Sequence, residues 1–491
     1  YERRETRWLA EYGSLDSYRL HVSHGRKIGD LSYSLGLGGT HTDGPVGRHG
    51  SEKLLSIFGH ADWKLMDSLS VGATVLYGEG ERELVQAEPP AAQQYRTALQ
   101  RFDPVREVSG SFKVLFKPKD RISTQFTLGY GNRRNTFIAE TGSTHQSSRD
   151  FDHEWNLNLI QAVALTRSKV LRMGMKYNHW VAPYGKRFYS GRRSDLETYS
   201  LAAVDEHSFG RLVLDGGLRY QRTYINEYGA FNIDGTSTMF KKVAPIVNQW
   251  EPAQISGSLG ATYHLTQRLS LRGNFLAGSV EPRRGSLTVD LEEPKTEHRT
   301  MVDAGLRLVR ERYGEFSLVG FLIRQDDAIA LSGTTRNVNG RIMELYVNRD
   351  QDSKGVEFEF KSRTFFESIH GFFNVTAMRA RAGLDGSMSR DPEIPQVILG
   401  SGILGKWRAL DYNFFWKFIS AYESARFAEP AVPQPLGDLH SLNLNAGYSL
   451  GRNEKIRVYV EMTNLTDSRF STVVGYPDYG RRFQLGSRQV F

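Results

Sequence analysis

Apolar and polar residues change places at every second position over most of this chain, the period of a strand whose two faces meet different surroundings. Leu69, Val71, Ala73, Val75 and Tyr77 share one face, with Ser70, Gly72 and Thr74 on the other. Leu442, Leu444, Ala446, Tyr448 and Leu450 alternate with Ser441, Asn443, Asn445, Gly447 and Ser449, and Ile456, Val458, Val460 and Met462 with Arg457, Tyr459, Glu461 and Thr463. The connections constrain the fold further. Short links occur at Arg26–Gly29, Met66–Ser68, Lys117–Asp120, Arg167–Lys169, His207–Gly210, Thr266–Arg268, Arg312–Gly314, Thr364–Ser368, Arg408–Leu410 and Gly451–Glu454. Between them lie longer polar segments, about 41–50, 81–105, 136–151, 182–195, 223–252, 281–296, 328–352, 385–394, 425–437 and 472–479. Turns at one end and loops at the other are the asymmetry of a barrel in the bacterial outer membrane. With one more tight link at Gly13–Asp16 on the loop side, the expected fold is all-β, a transmembrane antiparallel β-barrel of about 22 strands with both chain ends on the turn side.

Composition agrees and excludes rivals. Apolar residues are 39% of the 491, with no uninterrupted apolar run long enough for a membrane-spanning helix. Aromatic residues at 12% and 48 glycines suit strands that are apolar outside and wet inside. Charges fall on the inward face: Arg172 and Lys176 alternate with Leu171, Met173, Met175 and Tyr177, and Arg219 with Leu218 and Tyr220. A soluble sandwich or propeller also alternates, but predicts no such difference in connection length and would show a blade period. The net charge of +8 is spread along the chain, so nucleic acid is not an expected partner. The absence of cysteine removes disulfides, thiolate metal sites and a Cys nucleophile. The sequence opens on Tyr1 without a signal segment, and upstream processing or truncation is expected.

From Asn464 the chain reads Asn464-Leu465-Thr466-Asp467, then Phe470, Gly475-Tyr476-Pro477, Gly480-Arg481-Arg482-Phe483 and a terminal Phe491. This resembles the closing hairpin of TonB-dependent outer-membrane receptors, with Thr466 in place of a Phe and Gln489 where an aromatic residue is usual. Glu11–Arg19 resembles the first hairpin of that family, Leu291–Gly305 the approach to a mid-barrel strand, and Gly355-Val356-Glu357 its Gly-hydrophobic-Glu strand. The resemblance spans essentially the whole chain. It implies outer-membrane lipid as surroundings, a terminal Phe491 read during assembly, a plug domain in the lumen and energy coupling to the TonB complex through that plug. Residues 1–491 are all taken up by the barrel, so the plug is expected to be separate or missing.

Strand aromatics such as Trp63, Trp155, Trp180, Phe414, Trp416 and Phe418 suit an interfacial girdle better than ligand contact. Loop aromatics have less structural need, which makes Tyr224, Tyr228, Phe231, Phe240 and Trp250, near Lys241 and Lys242, candidates for ligand capture against local loop packing. Arg219, Arg272, Arg307, Lys417 and Arg457 are candidates for contact with a plug or an anionic substrate, or are plain wall solvation. The acid pairs Asp150/Asp152 and Asp350/Asp352 lack the ligand count of a calcium loop. No metal-protease spacing, phosphate loop or nucleophile elbow appears, so neither a catalytic residue, a metal nor a cofactor is expected. The expectation is an uptake receptor, not an enzyme, for a scarce metal chelate such as a siderophore or corrinoid; the alternative is a plugless porin-like channel or a barrel that sheathes another protein.

Overall fold

The computed structural model describes residues 4–185, 193–231, 243–282, 286–338, 341–365, 368–384, 387–430, 432–451 and 455–491. Its strands run β1 (Glu5–Gly13), β2 (Ser17–Ile28), β3 (Leu31–Thr42), β4 (Glu52–Met66), β5 (Leu69–Leu84), β6 (Leu99–Lys119), β7 (Ile122–Thr141) and β8 (Thr144–Thr166). They continue as β9 (Lys169–Ala182), β10 (Ser194–Phe209), β11 (Leu212–Phe231), β12 (Val243–Trp250), β13 (Gln254–His264), β14 (Leu269–Val280), β15 (Glu297–Arg310) and β16 (Gly314–Val338). The last third comprises β17 (Arg341–Ser362), β18 (Ile369–Leu384), β19 (Ser387–Arg390), β20 (Val397–Trp407), β21 (Leu410–Ser424), β22 (Gln434–Leu450), β23 (Ile456–Thr463) and β24 (Arg482–Val490). One short helix, α1 (Gln93–Thr97), lies between β5 and β6.

Apart from β12 with β13 and β19 with β20, each strand pairs antiparallel with its neighbour in sequence, and β1 pairs with β24 from Arg7↔Val490 to Gly13↔Gln484, which closes the sheet. β12 and β13 both pair with β11, and β19 and β20 both with β18, so each of these couples fills one place in the wall. The result is a closed barrel of 22 strands. Closure leaves no edge, so every wall strand has a partner on both sides. At the seam, Thr6 and Phe491 exchange backbone hydrogen bonds of 3.1 and 2.9 Å.

The strand period sorts the side chains. Leu201, Leu218, Leu259 and Leu485 stand more than half exposed on the outward face, an arrangement unfavourable in water and favourable against lipid. Trp63, Trp155 and Phe414 share that face, whereas Trp180 points inward and donates from Nε1 to Asp152 Oδ2 at 2.8 Å. The inward face is polar, and its charges pair across strands.

The links at the turn end fall where the sequence places them, for example at 29–30, 67–68, 210–211 and 408–409. At the loop end the structure corrects three expected loops. The segment 136–151 is a continuous hairpin of β7 and β8, tightly turned at 142–143. Most of 328–352 belongs to β16 and β17, and most of 223–252 to β11 and β12. Above the membrane both faces of a hairpin meet water, so the apolar half of the alternation disappears while the backbone still bonds in pairs.

Candidate ligand mouth and lumen

At the loop end, three connections that lie far apart in sequence pack together. Ala87 and Ala91 from the β5–β6 loop meet Ala428 from the β21–β22 loop and Val474 from the β23–β24 loop, all at most 7% exposed. Tyr95 lies 4.6 Å from Phe427 between ring centroids, and Phe427 lies 5.3 Å from Tyr476, nearly edge to face. Backbone bonds tie the loops to one another: Glu88 N donates to Gly475 O at 2.7 Å, and Ala92 N to Phe427 O at 2.8 Å. Gly475 has φ +79, and a Cβ there would also run into Glu88 O and Ala91, so only glycine fits. Arg48, 11% exposed, crosses to this cluster, donating to Gln86 O at 3.0 Å and lying 3.4 Å from Glu88. Burial pushes the Tyr95 hydroxyl up to about 12 and raises that of Tyr476 in the same direction.

The cluster reaches across the barrel. Arg426, on the β21–β22 loop, lies 3.5 Å from Glu344 on β17, with two wall places between, and Tyr95 of the β5–β6 loop comes within electrostatic reach of the same carboxylate. Eight wall strands separate β6 from β16 one way round, and ten separate β17 from β5 the other way, so these supports stand on nearly opposite walls. A cavity of about 590 Å³ lies where they meet, lined by hydroxyl and amide groups of Gln93, Gln94, Thr141, Thr334 and Thr335, with Arg426 and Glu344. That volume suits a small-molecule ligand, although its lining is more polar than a typical pocket. The β14–β15 loop docks beside it, Tyr346 N donating to Leu287 O at 2.9 Å. Arg349 holds the fully buried carboxylate of Asp391 at 2.8 Å.

Deeper in the lumen the wall carries ion pairs and aromatic–glycine contacts. Arg457 grips Asp411 with two parallel bonds of 2.7 and 2.6 Å, donates to Asn445 at 2.9 Å and stacks over Tyr459. Gly447 leaves the room that guanidinium occupies, and Gly486 does the same for the Tyr459 ring. The Tyr459 hydroxyl donates to Glu11 on β1, which also faces Arg19 at 3.2 Å. This network joins β23 to β1 across β24, along the seam.

The five cations expected in the lumen all face inward, but on separate strands. Arg219 donates to Ser200 at 3.1 Å, Arg307 holds Glu315 with bonds of 2.7 and 2.8 Å, and Arg457 has the partners above. Arg272 stands between Thr262 and Gly305, and Lys417 between Gly400 and Ser441. They do not form one site.

Of the five loop aromatics expected as a capture surface, the structure places Tyr224, Tyr228 and Trp250. Tyr224 continues the outward face of Leu218 and Tyr220, and Trp250 sits opposite it at 4.9 Å, near Tyr199. Both extend the outward aromatic face instead of lining the mouth. Tyr228 pairs with Ile246 in the same hairpin and Phe231 ends β11; the Phe231 side chain, Phe240, Lys241 and Lys242 lie outside the described residues.

Asp152 is ion-paired with Arg133 at 3.0 Å and Asp352 with Arg381 at 3.6 Å, as structural charges would be. Asp16, His41 and Asp43 on the rim bring ligand atoms within 4.8 Å of one another, but His41 and Asp43 already bond to each other at 3.1 Å. The mouth residues Tyr95, Arg426, Phe427 and Glu344 were not expected from the sequence; no local pattern marks them.

A closed 22-stranded antiparallel barrel with a polar lumen defines the class of large barrels of the outer-membrane type. Residues 85–465 match the family described as TonB dependent receptor-like, beta-barrel, and the chain belongs to that family. Among curated proteins none matches the sequence. Solved structures of similar fold include the copper transporter OprC, at TM-score 0.79 and 12% identity, covering 100% of this chain and 82% of that one. The ferric-catecholate import receptor Fiu of Escherichia coli K12 is similar at TM-score 0.75 and 12% identity, with 100% and 82% covered. The Pseudomonas aeruginosa receptor FpvA, solved with an iron-bound pyoverdine, follows at TM-score 0.75 and 13% identity, with 100% and 72% covered. At these identities the likeness is one of fold.

Proposed function

We propose that this chain forms the barrel of an outer-membrane uptake receptor, a transport protein and not an enzyme, that captures a scarce metal chelate at its extracellular mouth. The observation that carries the reading is the meeting of loops from nearly opposite walls around a cavity of about 590 Å³. A ligand seated there contacts both sides of the mouth at once, so its binding and the movement of the loops are coupled. The polar lining favours a chelate that offers many oxygen acceptors and donors, such as a siderophore, and Arg426 supplies a cation for an anionic one. Family membership supports gating of the lumen by a plug and energy input through TonB.

The test is a titration of the purified chain with a ferric catecholate, a ferric hydroxamate, a cupric chelate and a corrinoid, followed by tryptophan fluorescence. Saturable binding of one class, lost in Arg426→Ala or Glu344→Ala, is expected. Binding of none, together with large and weakly selective conductance in a planar bilayer that a plug partner leaves unchanged, would favour a porin-like channel.

A further inference from the structure

On the outward face of β15 to β18 and β20, three successive rows of side chains can be read from the register. The lowest runs Ala304–Gly320–Val356–Ala377–Val397, the next Val302–Leu322–Lys354–Arg379, and the highest Thr300–Arg324–Asp352–Arg381. The first row is made mostly of small residues, and it floors a shallow outward groove of about 810 Å³. Below it the same face is apolar, with Leu318, Phe358, Phe360 and Phe373, so the groove opens toward the membrane interior.

The second row ends the apolar band with two cations directly opposite each other. Like charges at facing positions of an antiparallel pair repel. The third row relieves itself: Arg324 donates to Asp326 at 2.9 Å, and Arg381 lies 3.6 Å from Asp352. Among the described residues, Lys354 and Arg379 have no ion pair or hydrogen bond of their own. Elsewhere on the outward face, at the top of β5 and β6, the corresponding Arg106 is bonded to Glu79. The groove therefore pairs a shallow, largely apolar channel with an unneutralised pair of cations at its upper end, where an interfacial phosphate would lie.

We propose that this groove holds one lipid with a phosphate-bearing headgroup, its acyl chain over Ala304, Gly320 and Ala377 and its phosphate between Lys354 and Arg379. The assignment rests on the membrane-barrel reading above. An Arg fork and a Lys point charge from adjacent strands together neutralise a phosphate, which removes their mutual repulsion. The bound lipid then bridges β16, β17 and β18 below the hairpin that carries Glu344, and so braces one side of the mouth.

Native mass spectrometry of the detergent-purified, delipidated full chain tests this, with bis-phosphorylated lipid A as probe. Three comparisons are made: lipid A stripped of both phosphates, inorganic phosphate alone, and two variants. One lipid A should stay on the wild-type barrel, with retention about tenfold weaker in Lys354→Ser/Arg379→Ser and equally weak for the stripped lipid. Gly320→Leu fills the groove and leaves both cations. A Cβ at 320 has carbonyl oxygens at 3.9 and 4.0 Å as its nearest neighbours, so the variant is expected to fold and to lose the lipid. Equal retention by the double variant, equal binding of the stripped lipid, or occupation by inorganic phosphate without lipid would each overturn the proposal. A shift in gel mobility on boiling reports the barrel separately: its absence in the wild-type chain would sink the membrane reading instead.

Discussion

At the turn end of the barrel the connections are short and bond at most to the next turn along the rim, as Arg211 does to Leu265 O and Arg268 to Glu311; at the loop end those between β5 and β6, β21 and β22, and β23 and β24 leave their own strands and pack on one another. The turn-end glycines Gly29, Gly210 and Gly451 have positive φ and open space around them, so they serve backbone conformation alone. Gly475 at the loop end also has positive φ, but a Cβ there would strike two residues of another loop. The first three glycines answer to their own turn and the fourth to a partner nearly 400 residues away in sequence. One end of the barrel is thus built from local rules, and the other from contacts that exist only once the wall has closed.

If that is right, damage to the wall should exceed damage to the mouth, and damage to a turn should be least. Gly486→Leu sets a side chain into the space of the Tyr459 ring and breaks its bond to Glu11 at the seam. Overpacking costs about 1–3 kcal/mol, and the loss of one of the two partners of the buried Glu11 carboxylate, Arg19 remaining, adds to that. The expected outcome is a marked fall in folded yield and in the urea midpoint, measured by heat-modifiable gel mobility; a wild-type midpoint would show that the seam network is dispensable.

Next in size is Tyr95→Ala combined with Phe427→Ala, which removes two of the packed rings of the mouth but touches no wall strand. Such truncations cost about 3–5 kcal/mol in a closed core, yet here the loss falls on loop packing and not on the barrel. Ligand titration and conductance should change strongly while the urea midpoint of the barrel moves little. A parallel fall in the midpoint would mean that the mouth and the wall unfold as one unit, and the contrast between them would collapse.

Smaller still is the effect of inserting Gly-Ser between Gly210 and Arg211. Lengthening a surface turn costs about 0.6 kcal/mol per doubling of its length. Midpoint, yield and ligand binding should all stay near wild type; a misassembled barrel would show that this turn sets strand register.

The same contrast explains what the sequence discloses. Strand period and turn position are carried by neighbours in sequence, and so Leu69–Tyr77, Leu442–Leu450 and the links at Arg26–Gly29 and His207–Gly210 are legible without a structure. Tyr224, expected in a capture loop, carries a contrary signal in the sequence: by parity it shares a face with Leu218 and Tyr220. Trp250 carries no such signal, because the break at 251–253 between β12 and β13 separates it from the wall strand whose parity would have placed it. The hairpin of β7 and β8 is hidden because Thr136, Gln146, Ser147 and Arg149 are polar on both faces. Least legible is the mouth nucleus: Ala87, Ala91, Ala428 and Val474 are small, unpatterned residues, and only barrel closure brings them together.

The smallest effect tests whether the mouth opens on its own. Tyr95 packs against Phe427 with Glu344 and Arg426 nearby, and burial lifts its hydroxyl from the ordinary value of 10.0 to about 12. The folded value lies above the unfolded one, so the neutral phenol stabilises the closed mouth fully below pH 10. That stability is lost as pH rises through about 12. Because the chain has no cysteine, Thr97→Cys gives a unique attachment point for an environment-sensitive dye on the mouth loop. Its signal should be flat up to about pH 10 and then change toward pH 12. Tyr476 is shifted the same way by burial, so Tyr95→Phe should weaken the transition and Tyr95→Phe/Tyr476→Phe should abolish it, since both keep the rings but lose the ionisable group. Barrel mobility on gels should not follow the dye. If the double variant opens over the same range as the parent, the transition belongs to other groups, and the mouth is held by something other than this aromatic nucleus.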